Sequence, residues 1–123
     1  MSIKYKKIDS INGIILVRDF VNVVGFEEII ESWEYLIKNN MLKDNVMGVI
    51  NDLRDCELNM DMKKFETLIT YMQTQNHLKG MKLAVVCDLP GKLVFPMLAE
   101  SRNNDLKIKG FSTISAAEVW INY

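Results

Sequence analysis

The side chains able to do chemistry are concentrated in one stretch, Val46–Phe65 (VMGVINDLRDCELNMDMKKF). It carries the carboxylates Asp52, Asp55, Glu57 and Asp61, the guanidinium Arg54, the amide Asn59 and the thiol Cys56. Together with Asp88, the aspartates Asp52, Asp55 and Asp61 are of the type that gathers beyond strand ends to hold Mg²⁺. A phosphoacceptor centre also needs a hydroxyl at a neighbouring strand end, and Cys87-Asp88-Leu89 brings none. Solvated turn acids and helix caps account for the same residues more simply, so no metal is expected. Cys56 stands between Asp55 and Glu57, whose charge raises a thiol's pKa and lowers its thiolate fraction. Cys87 lies in an apolar run and reads as a small core filler. The two cysteines match no metal or redox spacing. The single histidine, His77, falls near a helix C-terminus, where the dipole favours its charged form. Gly25, Gly48, Gly80, Gly91 and Gly110 stand alone, so no glycine-rich phosphate loop is formed. No catalytic residue and no cofactor are assigned.

These side chains need elements to position them. Val46, Met47, Val49 and Ile50 form a short apolar strand, read as passing at Asp52 into a polar turn. A helix then runs from about Asp61 to His77, capped by Asp61 or Asn59. Its Phe65, Leu68, Ile69 and Met72 fall at i, i+3, i+4 and i+7, and Gly80 is its stop. Strand, turn and helix in this order place polar groups at the carboxyl edge of an α/β sheet. Upstream, Ile3–Ile8 and Ile14–Phe20 read as strands around an Asn12-Gly13 turn, and so tight a connection must be antiparallel. After Gly25 an amphipathic helix presents Phe26, Ile29, Ile30, Trp33 and Ile37 on one face, with Asn39 and Asn40 as its stop.

Downstream, Lys82–Cys87 is a buried strand, and Lys92–Asn103 reads as a helix whose Pro96 requires it to begin close by or to kink. Leu106–Phe111 alternates apolar residues with Lys107 and Lys109, as an edge strand does. Ser115-Ala116-Ala117-Glu118 has the form of a capping box, with Ile114 and Val119 as the staple. Trp120 and Tyr123 are expected to dock the last helix. The pattern predicts an α/β fold. It has a mixed, mostly parallel sheet of about five strands with an N-terminal antiparallel hairpin, covered by about four helices in the order β-β-α-β-α-β-α-β-α.

A chain of 123 residues, 49% hydrophobic and 25% charged, is expected to form one globular domain over residues 1–123. A net charge of −1 with mixed signs gives no reason to expect nucleic acid. The lysines of MSIKYKKIDS lead into no apolar run, and no stretch approaches the roughly 20 residues needed to cross a bilayer. A reduced, cytoplasmic setting is expected.

Several segments together resemble STAS-like domains of the SpoIIAA-like group, which is related to Sec14-type lipid-transfer domains. They are the hairpin start, the segment GVINDLRDCELNMDMKKF with its hydrophobic strand ending in Asp-Leu-Arg before a polar turn and helix, the strand KLAVVCD and the finish FSTISAAEVWI. The resemblance implies a STAS-like fold with a binding or regulatory role. Anti-sigma-factor antagonists in this superfamily are phosphorylated on a serine at the start of the second helix. The matching stretch here, Leu58-Asn59-Met60-Asp61-Met62, has no serine or threonine, so no such phosphoswitch is expected.

Two kinds of function follow. The first is non-enzymatic association with a protein partner or a second copy, as a homodimer. Its contact surfaces would be Asp52, Arg54, Asp55, Asn59 and Asp61, with Leu93, Phe95 and Met97. The segment Leu93–Leu98 is apolar nearly all round and suits a cavity lid, a subunit contact or a peripheral membrane contact. The alternative is a carrier or sensor of a small apolar, lipid-like ligand, with the pocket between the second and third helices and lined by Phe65, Met72, Phe95 and Met97. Flexible methionines suit such pockets, although core filling explains most of them.

Overall fold

Asn12-Gly13 reverses the chain between β1 (Ile3–Ser10) and β2 (Gly13–Gly25), which pair antiparallel from Ile3↔Phe20 to Ser10↔Gly13. Gly13 has φ +150°, and a Cβ there would lie 2.6 Å from the Asn45 carbonyl oxygen, so only glycine fits. The computed structural model describes residues 2–43, 45–88 and 105–123. Its sheet has five strands in the order β1-β2-β3-β4-β5. β3 (Val46–Asn59), β4 (Lys82–Val86) and β5 (Lys107–Phe111) all run parallel to β2.

Three helices are present among the described residues: α1 (Phe26–Lys38), α2 (Met62–Gln73) and α3 (Ile114–Asn122). The fourth expected helix, at residues 92–103, lies outside them. α1 stops where the sequence places its end. Asn40 takes φ 55°, the Asn40 N–H donates to Ile37 O (3.1 Å) and the Met41 N–H to Leu36 O (2.9 Å). This is the Schellman arrangement. α2 ends at Gln73, short of His77.

Successive strand residues face opposite sides of the sheet and build two cores. On one side Leu16, Phe20, Val24, Val49, Leu53 and Leu83 meet Ile29, Trp33 and Leu36 of α1 and Phe65, Leu68, Ile69 and Met72 of α2. On the other, Ile15, Val17, Ile50, Ala84 and Val86 meet Ala117 and Ile121 of α3. Gly48 lets α3 approach: a Cβ there would lie 2.8 Å from both Ile121 Cγ2 and Lys82 O.

The start of α3 differs from the capping-box reading. The cap is Thr113, whose Oγ1 accepts from the Ala116 N–H at 3.1 Å, so Ser115 already lies in the first turn. Tyr123 is 91% exposed and docks nothing, whereas Trp120 is half-buried against Phe111. Lys82 Nζ donates to Trp120 O at 2.8 Å, placing a cation at the negative end of the helix.

A second correction concerns residues 52–59, which are strand and not a polar turn. β3 gains one residue twice against β2: Ile14↔Val46 is followed by Ile15↔Gly48, and Asp19↔Asp52 by Val21↔Asp55. Such bulges shift the inward alternation by one position. Leu53 and Cys56 therefore share the buried face although they are three apart.

Candidate functional site

β2 and β3 outrun their neighbours. Pairing with β1 ends at Phe20, and among the described residues pairing with β4 ends at Asp52↔Val86. Beyond these points Val21–Gly25 and Asp55–Asn59 continue as a two-stranded parallel ribbon past the carboxyl edge of the sheet. Arg54, Asp55, Glu57, Asn59 and Asp61 are exposed on and after it, whereas Asp52 is buried.

The acids are not convergent. Asp52 is held by its neighbour: Arg54 Nε donates to Oδ1 and Nη2 to Oδ2, each at 2.9 Å, and the Arg54 backbone N–H adds a third bond to Oδ1 at 3.2 Å. Burial acts to raise the Asp52 carboxyl, but the hydrogen bonds and charge of Arg54, with Lys6, outweigh it and hold it below the usual carboxylate range. The same pairing raises Arg54. Asp61 caps α2, accepting from the Lys64 N–H at 2.8 Å. Among the described residues no three His, Cys, Asp or Glu side chains come together as a metal-holding group. Cys56 is buried, not exposed in a turn, and its Sγ donates to Leu53 O at 3.5 Å. Cys87 is fully buried.

A different set of polar groups lies under α1. Tyr5, Arg18 and Asn51 are register neighbours across β1, β2 and β3. Arg18 is 1% exposed. Its Nη1 donates to Asn51 Oδ1 (2.9 Å) and its Nη2 to Ile29 O (3.3 Å), and Asn51 in turn donates to Ala84 O (3.1 Å). The guanidinium carbon sits 3.9 Å from the Trp33 ring centroid and 5.0 Å from that of Phe20. Such stacking offsets part of the cost of burying the charge. No carboxylate pairs with Arg18 among the described residues. Desolvation pushes its pKa down to about 9, with Tyr5 opposing the fall, so the group stays charged at neutral pH. Among the described residues, the buried Arg18 Nε and Trp33 Nε1 have no hydrogen-bond partner.

Both residues line a recess of about 80 Å³ between α1, α2 and the sheet. The rest of the described lining is apolar apart from Asn51: Phe20, Leu53, Leu58, Met60, Phe65, Leu68, Met72, Leu83 and Val85 are among it. A wider groove of about 350 Å³ runs between β1 and α1, but its Tyr5 and Ser32 hydroxyls already satisfy each other at 2.8 Å.

The structure thus brings together Phe65 and Met72, named for an apolar ligand, on one wall. It spreads Arg54, Asp55, Asn59 and Asp61 over an exposed ribbon and helix start. Leu93, Phe95 and Met97 lie outside the described residues. Sequence reasoning missed Arg18 and Asn51, and took Trp33 for plain core. A signal was present in IILVRDF: a charge two residues from both Leu16 and Phe20, on the face those residues bury.

The fold is of a mixed α/β class with helices on both faces of the sheet. It is similar to that of an uncharacterized protein of the DUF3478 family from Shewanella loihica PV-4, described as having a SpoIIAA-like fold. The two share 15% identity, with a TM-score of 0.68 over 98% of this chain and 94% of that one. The SpoIIAA-like fold expected from the sequence is therefore present. No family model and no curated protein matches the sequence. No helix among the described residues is long and apolar enough to cross a membrane.

Proposed function

We propose that this chain is a non-catalytic SpoIIAA-like binding domain that takes a small apolar ligand between α2 and the sheet. The observation that carries the reading is the recess of about 80 Å³, whose described walls are hydrocarbon and aromatic except at Arg18, Asn51 and the Trp33 indole N–H. A void of that size is several times the ~10–15 Å³ that one water needs. It is smaller than the ~300–1,000 Å³ of a drug-sized site and than the ~150 Å³ that holds benzene, so it suits one end of a chain and not a ring system. Phe65 and Met72 form one wall, Leu83 and Val85 another. Each methylene moved from water into such a wall contributes about 0.8 kcal/mol.

Isothermal calorimetry with octanoate and 1-octanol tests this. Saturable binding of at least one, with a melting temperature that rises with its concentration, is the expected result. Failure of both to bind overturns it.

A second reading, association with a protein partner or a second copy, is favoured by Arg54, Asp55, Glu57 and Asn59 standing exposed on a ribbon beyond the sheet. Sedimentation as a dimer that the paired change Asp55→Lys and Glu57→Lys converts to monomer supports self-association through this surface. A wild-type monomer excludes it.

A further inference from the structure

Resting on the apolar-ligand reading, we infer that the ligand carries a single carboxylate, and that Arg18, which lines the recess and lies over the Trp33 and Phe20 rings, is its anchor. A guanidinium has five N–H donors. Two of Arg18's are used, by Asn51 Oδ1 and Ile29 O, and Nε has no acceptor although the side chain is 1% exposed. The edge of Arg54 that grips Asp52 is Nε with Nη2, each at 2.9 Å from a carboxylate oxygen. On Arg18 the Nη2 of that edge already donates to Ile29 O at 3.3 Å, and among the described residues Nε has no acceptor, so Nε is the donor left for a carboxylate oxygen. Trp33 Nε1, also without an acceptor, adds a second unused donor on a side chain that lines the recess.

The number of charges fixes the headgroup. Arg18 is the one charged residue in the described lining, so it neutralises a monoanion. A phosphate dianion would keep one charge uncompensated among Phe20, Leu53 and Met72. A buried guanidinium facing only neutral groups carries a desolvation penalty that an incoming carboxylate offsets. Without a ligand, the two aromatic faces and the Asn51 amide hold the cation in place.

Octanoate and 1-octanol share a chain and differ in charge at the head, so their calorimetric comparison on the intact chain isolates the inference. The wild type is expected to bind octanoate at least about tenfold tighter, the gain ordinarily given by a charge-assisted hydrogen bond. Octanoate, and not octanol, should also shift the Arg18 Nε–H resonance downfield. Arg18→Met should keep the octanol affinity and lose the preference for the acid. Equal affinity of the wild type for both overturns the carboxylate while leaving the apolar recess standing, and binding of neither overturns both. The wild-type comparison decides even if Arg18→Met does not fold. A folded Arg18→Met that still prefers octanoate removes Arg18 as the anchor.

Discussion

Asp52 and Arg18 are two buried ionic groups with opposite circumstances. Asp52 has its partner two residues along β3, where Arg54 supplies both oxygens with N–H donors at 2.9 Å. Its folded-state pKa is depressed from the ordinary 3.8, so the pair contributes stability above that value and loses it as pH falls through the lower, folded one. Asp52→Asn should lower the melting temperature near neutrality, and the gap from wild type should close at acid pH below the ordinary carboxylate range. A gap of constant size across the titration would mean that the charge of Asp52 does not matter. Among the described residues Arg18 has only neutral neighbours, and that imbalance sets it apart from Asp52.

The elements were legible wherever one period governed them. Phe65, Leu68, Ile69 and Met72 repeat at helical spacing, and all four are buried on α2. Asn12-Gly13 fixed the hairpin, and Asn40 ended α1 by a backbone conformation that Asn tolerates. β3 was not legible beyond Asp52, because its bulge breaks the alternation that marks a strand. Leu53 and Cys56 face inward together, so DLRDCELN reads locally as a polar turn. The cap of α3 was misplaced for a related reason. Thr113 and Ser115 both have hydroxyls suited to capping, and only the entry angle of the chain after β5 chooses between them.

Gly48 shows what pattern alone leaves out, since its role is set by Ile121, more than seventy positions later in the chain. Gly48→Ala would push a methyl against Ile121 and the Lys82 carbonyl, both at 2.8 Å. A loss of about 1–3 kcal/mol in denaturant-measured stability is expected, the usual cost of overpacking. Measured against Ile121→Ala alone, the same change should cost less, because the Cγ2 contact is gone and only that with the Lys82 carbonyl remains. No loss would mean that α3 floats over the sheet.

Taken whole, the molecule separates its two faces. One carries α3 on a small hydrocarbon core of Ile15, Val17, Ile50, Ala84, Val86, Ala117 and Ile121. The other carries α1 and α2 over a larger core that contains both the recess and Arg18. None of the five residues on the exposed ribbon and helix start is brought to the recess, so ligand binding and partner binding would use different parts of the protein. The most direct measurement follows from this separation. Methyl-labelled protein titrated with octanoate should show saturable shifts at Met72, Leu83 and Ile108, which line the recess, while Ile15, Ile50 and Ile121 on the opposite face stay put. Shifts confined to the α3 face, or none at either, would contradict a ligand seated between α2 and the sheet.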